Sequence, residues 1–346
     1  MTTNDLERRL REGLRREAER IKPRERRTEI LAMVRNETQV TEPGRRWLIP
    51  IAAAASVALI GALIWGVSNS GGSQQIAPAV AVPNTLSSAK GTVLGATTQA
   101  LLPAYFVGAN SGTRAGYGLY REFVRTAVPG GATPAQKATA ALTVAMNAQL
   151  FTKYEPYVQP WAATSVKNLT VAPNRITITL SGPGAPGFTA EQTRLAVQEL
   201  VWTAQAAIGQ GPIPVKFVVA SGSAKLFGTY TTAATYNRPT KDLQYQVLAP
   251  IWITSPERGH VFPAGAAVVA QGESCAFEGT TQWQLKKGGT AIKSAVTTAS
   301  SGCPVRGTWQ VKLGALAAGS YTFRMYEVSM QNGQVVAETS RPFTVK

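Results

Sequence analysis

Residues 189–219, TAEQTRLAVQELVWTAQAAIGQGPIPVKFVV, carry the clearest pattern in the chain. Thr189 and Gln192 stand in capping-box spacing, where each side chain can satisfy the other's exposed backbone N–H. Val197, Leu200, Val201, Ala204 and Ile208 then fall on one helical face, and Gly209 supplies a left-handed stop. The segment Val215–Val219 alternates inward apolar residues as a strand does. Upstream, Thr133 and Pro134 mark another helix start, followed by Ala138, Ala141, Leu142 and Ala145 at helical spacing. Ile176, Ile178 and Leu180 alternate with threonines as in a half-buried strand, and Ala104–Val107 is a short strand candidate. The order strand, helix, strands, helix, strand predicts an α+β domain over 99–233, a small sheet with two helices.

Downstream of a linker at 234–247, which holds Arg238, Pro239 and Lys241, residues 248–346 read as all β. Trp283 and Leu285 alternate with Gln282 and Gln284, Lys286-Lys287-Gly288-Gly289 supplies a turn, and Trp309, Val311 and Leu313 alternate again. Asn332-Gly333 is a hairpin signal. Several short strands within about 100 residues predict a β-sandwich.

Residues 47–67, WLIPIAAAASVALIGALIWGV, contain no charge, and about 20 apolar residues suffice for a helix to cross a bilayer. Arg45 and Arg46 abut the run, and Trp47 and Trp65 stand near its ends at headgroup depth. This predicts a single transmembrane helix with residues 1–46 in the cytoplasm and both folded regions outside. A cleaved signal would have a shorter leader and apolar region. In the leader, Leu6, Leu10, Leu14, Ala18 and Ile21 share a stripe amid arginines, the pattern of an amphipathic helix. Two readings stay open for it: docking to anionic lipid or a cytoplasmic partner, and a solvated topogenic leader. Residues 68–98, rich in Ser, Gly, Pro, Ala and Thr with Lys90 as their one charge, read as a flexible stalk.

Particular segments carry two family resemblances. AYFV at 104–107, LYREFVR at 119–125, VKNLTVAPNRITITLSG at 166–182 and LAVQELVWTAQAAIGQGPIPVKFVV at 195–219 resemble the GerM N-terminal domain of sporulation and spore germination. That family is similar in fold to ring-building domains of secretion and sporulation complexes, which implies an assembly role and possible homo-oligomers. IWITSPERG at 251–259, CAFEG at 275–279, AAGSYTFRMYEVS at 317–329, NGQVV at 332–336 and PFTV at 342–345 resemble the immunoglobulin-like domain of bacterial spore germination. The two domains occur in this order in membrane-anchored envelope proteins, so the resemblance implies an architecture and names no reaction.

Chemistry-bearing residues are sparse. Cys275 and Cys303 are the only cysteines, both in the outer domain, where an oxidising environment favours a disulfide worth roughly 3 to 4 kcal/mol. His260 is the only histidine, and Asp242 is the only aspartate outside the leader. With no nucleophile elbow, a hydrolytic triad through His260 is the distant reading and a turn histidine the ordinary one. Glu257, Glu273 and Glu278 lie near His260 in sequence and read as surface carboxylates. Gly182, Gly184 and Gly187 form G-x-G-x-x-G, but Pro183 and Pro186 remove backbone donors from it, so a tight turn is expected rather than a dinucleotide site. No catalytic residue, metal or cofactor is therefore expected. The net charge of +16 leaves residues 68–346 basic. Beyond the lipid bilayer, the expected partners are an unknown envelope protein or an anionic cell-wall polymer, with nucleic acid disfavoured by the topology. The primary reading is a non-enzymatic envelope interaction or scaffolding protein, and the alternative is a receptor for an anionic envelope polymer or glycan.

Overall fold

The computed structural model describes residues 97–150 and 157–346. The leader, the apolar run 47–67 and the stalk up to residue 96 lie outside the described residues. No helix among the described residues is long and apolar enough to cross a membrane.

The first domain opens with a hairpin of two long strands, β1 (Thr97–Ala109) and β2 (Tyr117–Pro129). The expected short strand at 104–107 is only the buried middle of β1, which starts inside the stretch read as stalk. Its first five residues are exposed or half-buried, so only the apolar stretch at 104–107 marked the strand in the sequence. Helix α1 (Pro134–Ala145) follows, then β3 (Val166–Ala172), β4 (Arg175–Leu180), α2 (Ala190–Ile208) and β5 (Val215–Val219). Short strands β6 (Lys225–Leu226), β7 (Tyr230–Thr231) and β8 (Thr235–Tyr236) close the domain. The sheet order is β3-β4-β5-β8, with β4 parallel to β5 across the α2 crossover.

Both helices carry complete capping boxes, Thr133 with Gln136 and Thr189 with Gln192, and Gly209 ends α2 at φ 74°. The sequence assigns α2 one apolar face, yet Glu199, Trp202, Thr203 and Gln205 are buried as well. The helix makes contacts on two sides. Leu195, Leu200 and Ile208 join the core with Ile176, Ile178 and Phe217 of the sheet, while polar side chains reach β1. Thr203 Oγ1 accepts from Tyr105 N–H at 3.0 Å, and Glu199 Oε1 accepts from Val107 N–H at 3.2 Å. Glu199 is fully buried, and burial pushes its carboxyl well above the usual carboxylate range.

The second domain is a sandwich of two sheets. Strands β9 (Ile251–Ser255), β11 (Ala267–Ser274) and β14 (Gly307–Ala315) form one sheet, in the order β14-β11-β9. Strands β10 (Val261–Phe262), β12 (Thr280–Lys287), β13 (Thr290–Thr298), β15 (Gly319–Val328) and β16 (Val335–Val345) form the other, in the order β10-β16-β15-β12-β13. Leu285, Trp309, Val311, Leu313, Phe323 and Met325 meet between them, and Trp283 packs partly buried against that core. Gly288 and Gly289 both have positive φ, as the two-residue β12–β13 turn requires. Cys275 and Cys303 are joined in a disulfide that ties the β11–β12 connection to the β13–β14 loop.

Because the folded state holds the Glu199 proton more tightly than the unfolded chain, this residue makes stability fall as pH rises from about 4.5 toward its raised value. The variant Glu199→Gln keeps the acceptor for Val107 and should lack that fall. In urea denaturation of the full chain in detergent, its advantage over wild type should grow with pH above about 4.5. A pH-independent difference would show that Glu199 is ionised in the fold.

Candidate functional site: the seam between the two domains

Both domains lie in one compact unit, and β2 is the element along which they meet. Leu119 N–H donates to Val247 O at 2.8 Å, and Leu119 O accepts from Ala249 N–H and from the Trp252 indole, each at 2.9 Å. Gly118 permits this approach, since a Cβ there would sit 2.8 Å from Ala249 Cα. At the hairpin tip, Thr113 and Arg114 N–H donate to Val335 and Val336 carbonyls of β16.

The centre of the seam is a buried carboxylate. Glu122 shares the inward parity of Tyr120 on β2 and is 3% exposed. Its Oε2 accepts from Arg341 Nη1 at 2.6 Å, and its Oε1 accepts from Arg258 Nη2 at 2.8 Å, Arg258 Nε at 3.0 Å and the Tyr157 hydroxyl at 2.7 Å. Arg341 also donates to Ile253 O. Burial alone would raise the Glu122 pKa, but Arg341, Arg258 and the hydrogen bonds reverse this, and the carboxylate lies below its usual range. One acid from the first domain thus pairs with two arginines of the second.

Beside this cluster opens a cleft of about 510 Å³ lined by Phe123, Val124 and Arg125 of β2, by Glu257, Arg258, Gly259 and His260 of the β9–β10 connection and by Val261 of β10. Glu257 Oε2 lies 2.8 Å from His260 Nδ1 and accepts from Arg125 Nη2 at 3.3 Å. The imidazole packs 4.2 Å, centroid to centroid, from Phe262. So His260 has a cleft and a carboxylate partner, more than a bare turn provides. The lining offers no serine, threonine or cysteine as a nucleophile. The three glutamates do not converge: Glu257 meets His260, Glu273 bridges to Arg121 at 3.2 Å, and Glu278 takes a left-handed φ of 52°. Among the described residues no group of three His, Cys, Asp or Glu could hold a metal ion. In the G-x-G-x-x-G stretch, a Cβ at Gly184 would fall 2.2 Å from Phe227 Cε1, so packed aromatic carbon occupies the space a phosphate would need.

The charged seam was missed in the sequence because a glutamate or an arginine in a strand reads as solvent-facing. The available signal was parity: Glu122 alternates in step with Tyr120, and Arg341 in step with Ala337, Phe343 and Val345.

Residues 250–334 match the family described as the immunoglobulin-like domain of bacterial spore germination, so the sandwich carries that domain and links the chain to spore-germination-related proteins. No curated protein matches the chain. Among solved structures, the fibronectin(III)-like modules of Clostridium thermocellum CbhA are 22% identical, covering 28% of this chain and 94% of theirs at a TM-score of 0.22. An engineered protein is 12% identical, covering 43% of this chain and 27% of its own length at a TM-score of 0.23. Likenesses this weak carry no weight for fold or function.

Removing the Glu122 charge strands two buried guanidiniums, so Glu122→Gln should cost about 3–5 kcal/mol at pH 7. Since the folded pKa is lowered, this contribution is present above about 4.5 and is lost as pH falls through the folded value. The gap between variant and wild type should therefore narrow in acid. Guanidinium denaturation at pH 7 and pH 3 measures it, and an equal gap at both would mean the carboxylate is not ionised at the seam.

Proposed function

We propose that this chain is a non-enzymatic interaction or scaffolding protein of the bacterial cell envelope. In this reading it is anchored by residues 47–67, with its N-terminus in the cytoplasm and a GerM N-terminal-type domain and the immunoglobulin-like domain outside. The observation that carries the proposal is the Glu122–Arg341–Arg258 cluster. By fixing the two domains to each other it offers partners one continuous surface, as an assembly element requires, where loosely tethered modules would bind independently. The uncharged run beside Arg45 and Arg46 supports the anchoring, and the germination-type sandwich supports the envelope setting. The partner is an envelope protein or a second copy of the chain.

A receptor for an anionic envelope polymer is the second reading, favoured by the surplus of arginines along the seam. Hydrolysis at His260 is third: the Glu257–His260 pair could bind or shuttle a proton, but its cleft brings no nucleophile.

External protease applied to cells with the outer layers opened should remove both domains and leave a small anchored fragment. Protection of the domains would reverse the proposed topology. In the same cells, adducts formed by in-cell crosslinking should survive His260→Ala and disappear when either domain is deleted. Loss of adducts in a folded, abundant His260→Ala protein would move the function into the His260 cleft.

A further inference from the structure

The second side of β2 carries a different charge pattern. Arg121, next to Glu122 and pointing the opposite way by strand alternation, lies with its Cζ 4.7 Å from the Phe123 ring centroid and 6.0 Å from that of Tyr105. The Tyr105 ring is 5.4 Å from Trp202 and 5.8 Å from Trp252. Over these two indoles sit two more guanidiniums: Arg238, with its Cζ 4.2 Å from the Trp202 ring, and Arg306, 3.9 Å from the Trp252 ring. Backbone carbonyls orient them. Arg238 Nη2 donates to Trp202 O at 2.9 Å, and Arg306 donates to Ala249 and Pro250 carbonyls. Arg114, from the hairpin tip, donates to Tyr245 O at 3.4 Å, and its charge bears on Arg306.

Four guanidiniums thus converge from the hairpin, the linker and the sandwich, and the single carboxylate among them is Glu273, which Arg121 already holds. Arg114, Arg238 and Arg306 have no carboxylate partner among the described residues. Independently, the Trp202 indole N–H is buried with no acceptor among the described residues, in a side chain only 4% exposed, and Arg121 Nε and Arg238 Nε are likewise unmatched. Burial pushes Arg306 down to about 10, with Arg114 and Arg121 adding to the effect against Glu273 and Tyr105. The folded chain therefore gathers more positive charge and more donors here than its own groups neutralise.

We propose that this part of the seam, framed by Arg114, Arg121, Arg238 and Arg306, is an anion-binding site that takes a phosphate or phosphodiester group. A tetrahedral oxyanion offers acceptors in several directions and up to two charges, matching guanidiniums that arrive from separate elements. A carboxylate is the weaker match, since one already satisfies Arg121. The phosphate could belong to a wall polymer, a lipid headgroup or the free ion. The site deepens the receptor reading given above by naming its ligand chemistry. Binding to purified protein is independent of membrane topology, so the two can fail separately.

The full chain in non-ionic detergent is titrated with inorganic phosphate, with sodium chloride at matched ionic strength as the control. Indole fluorescence and calorimetry give the readout, because Trp202 and Trp252 lie under the arginines. Saturable phosphate binding is expected, weakened at least tenfold in Arg114→Gln/Arg238→Gln. If that double variant does not fold, Arg238→Lys keeps the charge without the planar fork and should still weaken binding several-fold. Separate arms with poly(glycerol phosphate) and with phosphatidylglycerol vesicles identify the source: tighter binding to one than to free phosphate assigns it, and equal binding assigns a small anion. A response no larger than that of chloride, or full affinity in folded variants, overturns the proposal.

Discussion

The arrangement of the whole described unit depends on one constraint, which is that the carboxylate of Glu122 must not be buried alone. An ion of this size carries a desolvation penalty of several kcal/mol, and only close partners of opposite charge offset it. Those partners come from the other domain. Arg341 sits mid-strand on β16 and Arg258 in the β9–β10 connection, so both charges are satisfied only when the sandwich is docked on the hairpin. Docking is thereby made selective as well as favourable, because a shifted register would leave three buried charges unmatched.

Around this point the remaining contacts fall into place. The main chain of Leu119 exchanges hydrogen bonds with 247–249, Gly118 allows the backbones to touch, and Trp252 inserts its indole into the first domain's core while donating to Leu119 O. The boundary between the domains is therefore a packed interior. On the second side of β2 the same close approach crowds arginines that find no carboxylate partner among the described residues apart from Glu273 at Arg121.

Within the first domain, α2 serves two surfaces at once. Its aliphatic side covers the sheet, and its polar side supplies Thr203 and Glu199 to backbone donors of β1. The buried Glu199, its carboxyl pushed up by burial, holds that junction at the cost of stability at higher pH. In the second domain the disulfide ties together two connections at one end of the sandwich. Side-chain packing between the sheets does the rest.

The sequence alone determined the local elements whose signals are local. The helix start at Thr133-Pro134, the capping box at Thr189, the stop at Gly209, the Gly288-Gly289 turn and the alternation about Leu285 and Val311 each act within a few residues, and each appears where its spacing places it. The family match over 250–334 agrees with the sandwich read from that alternation. Tertiary structure decided the outer half of β1, the second buried side of α2 and the whole seam. The partners of Glu122 lie 136 and 219 positions away, and no periodicity encodes such a meeting. Parity hinted that Glu122 and Arg341 face inward. Which charge each would find there was fixed only when two separately folded surfaces had to bury their charges together.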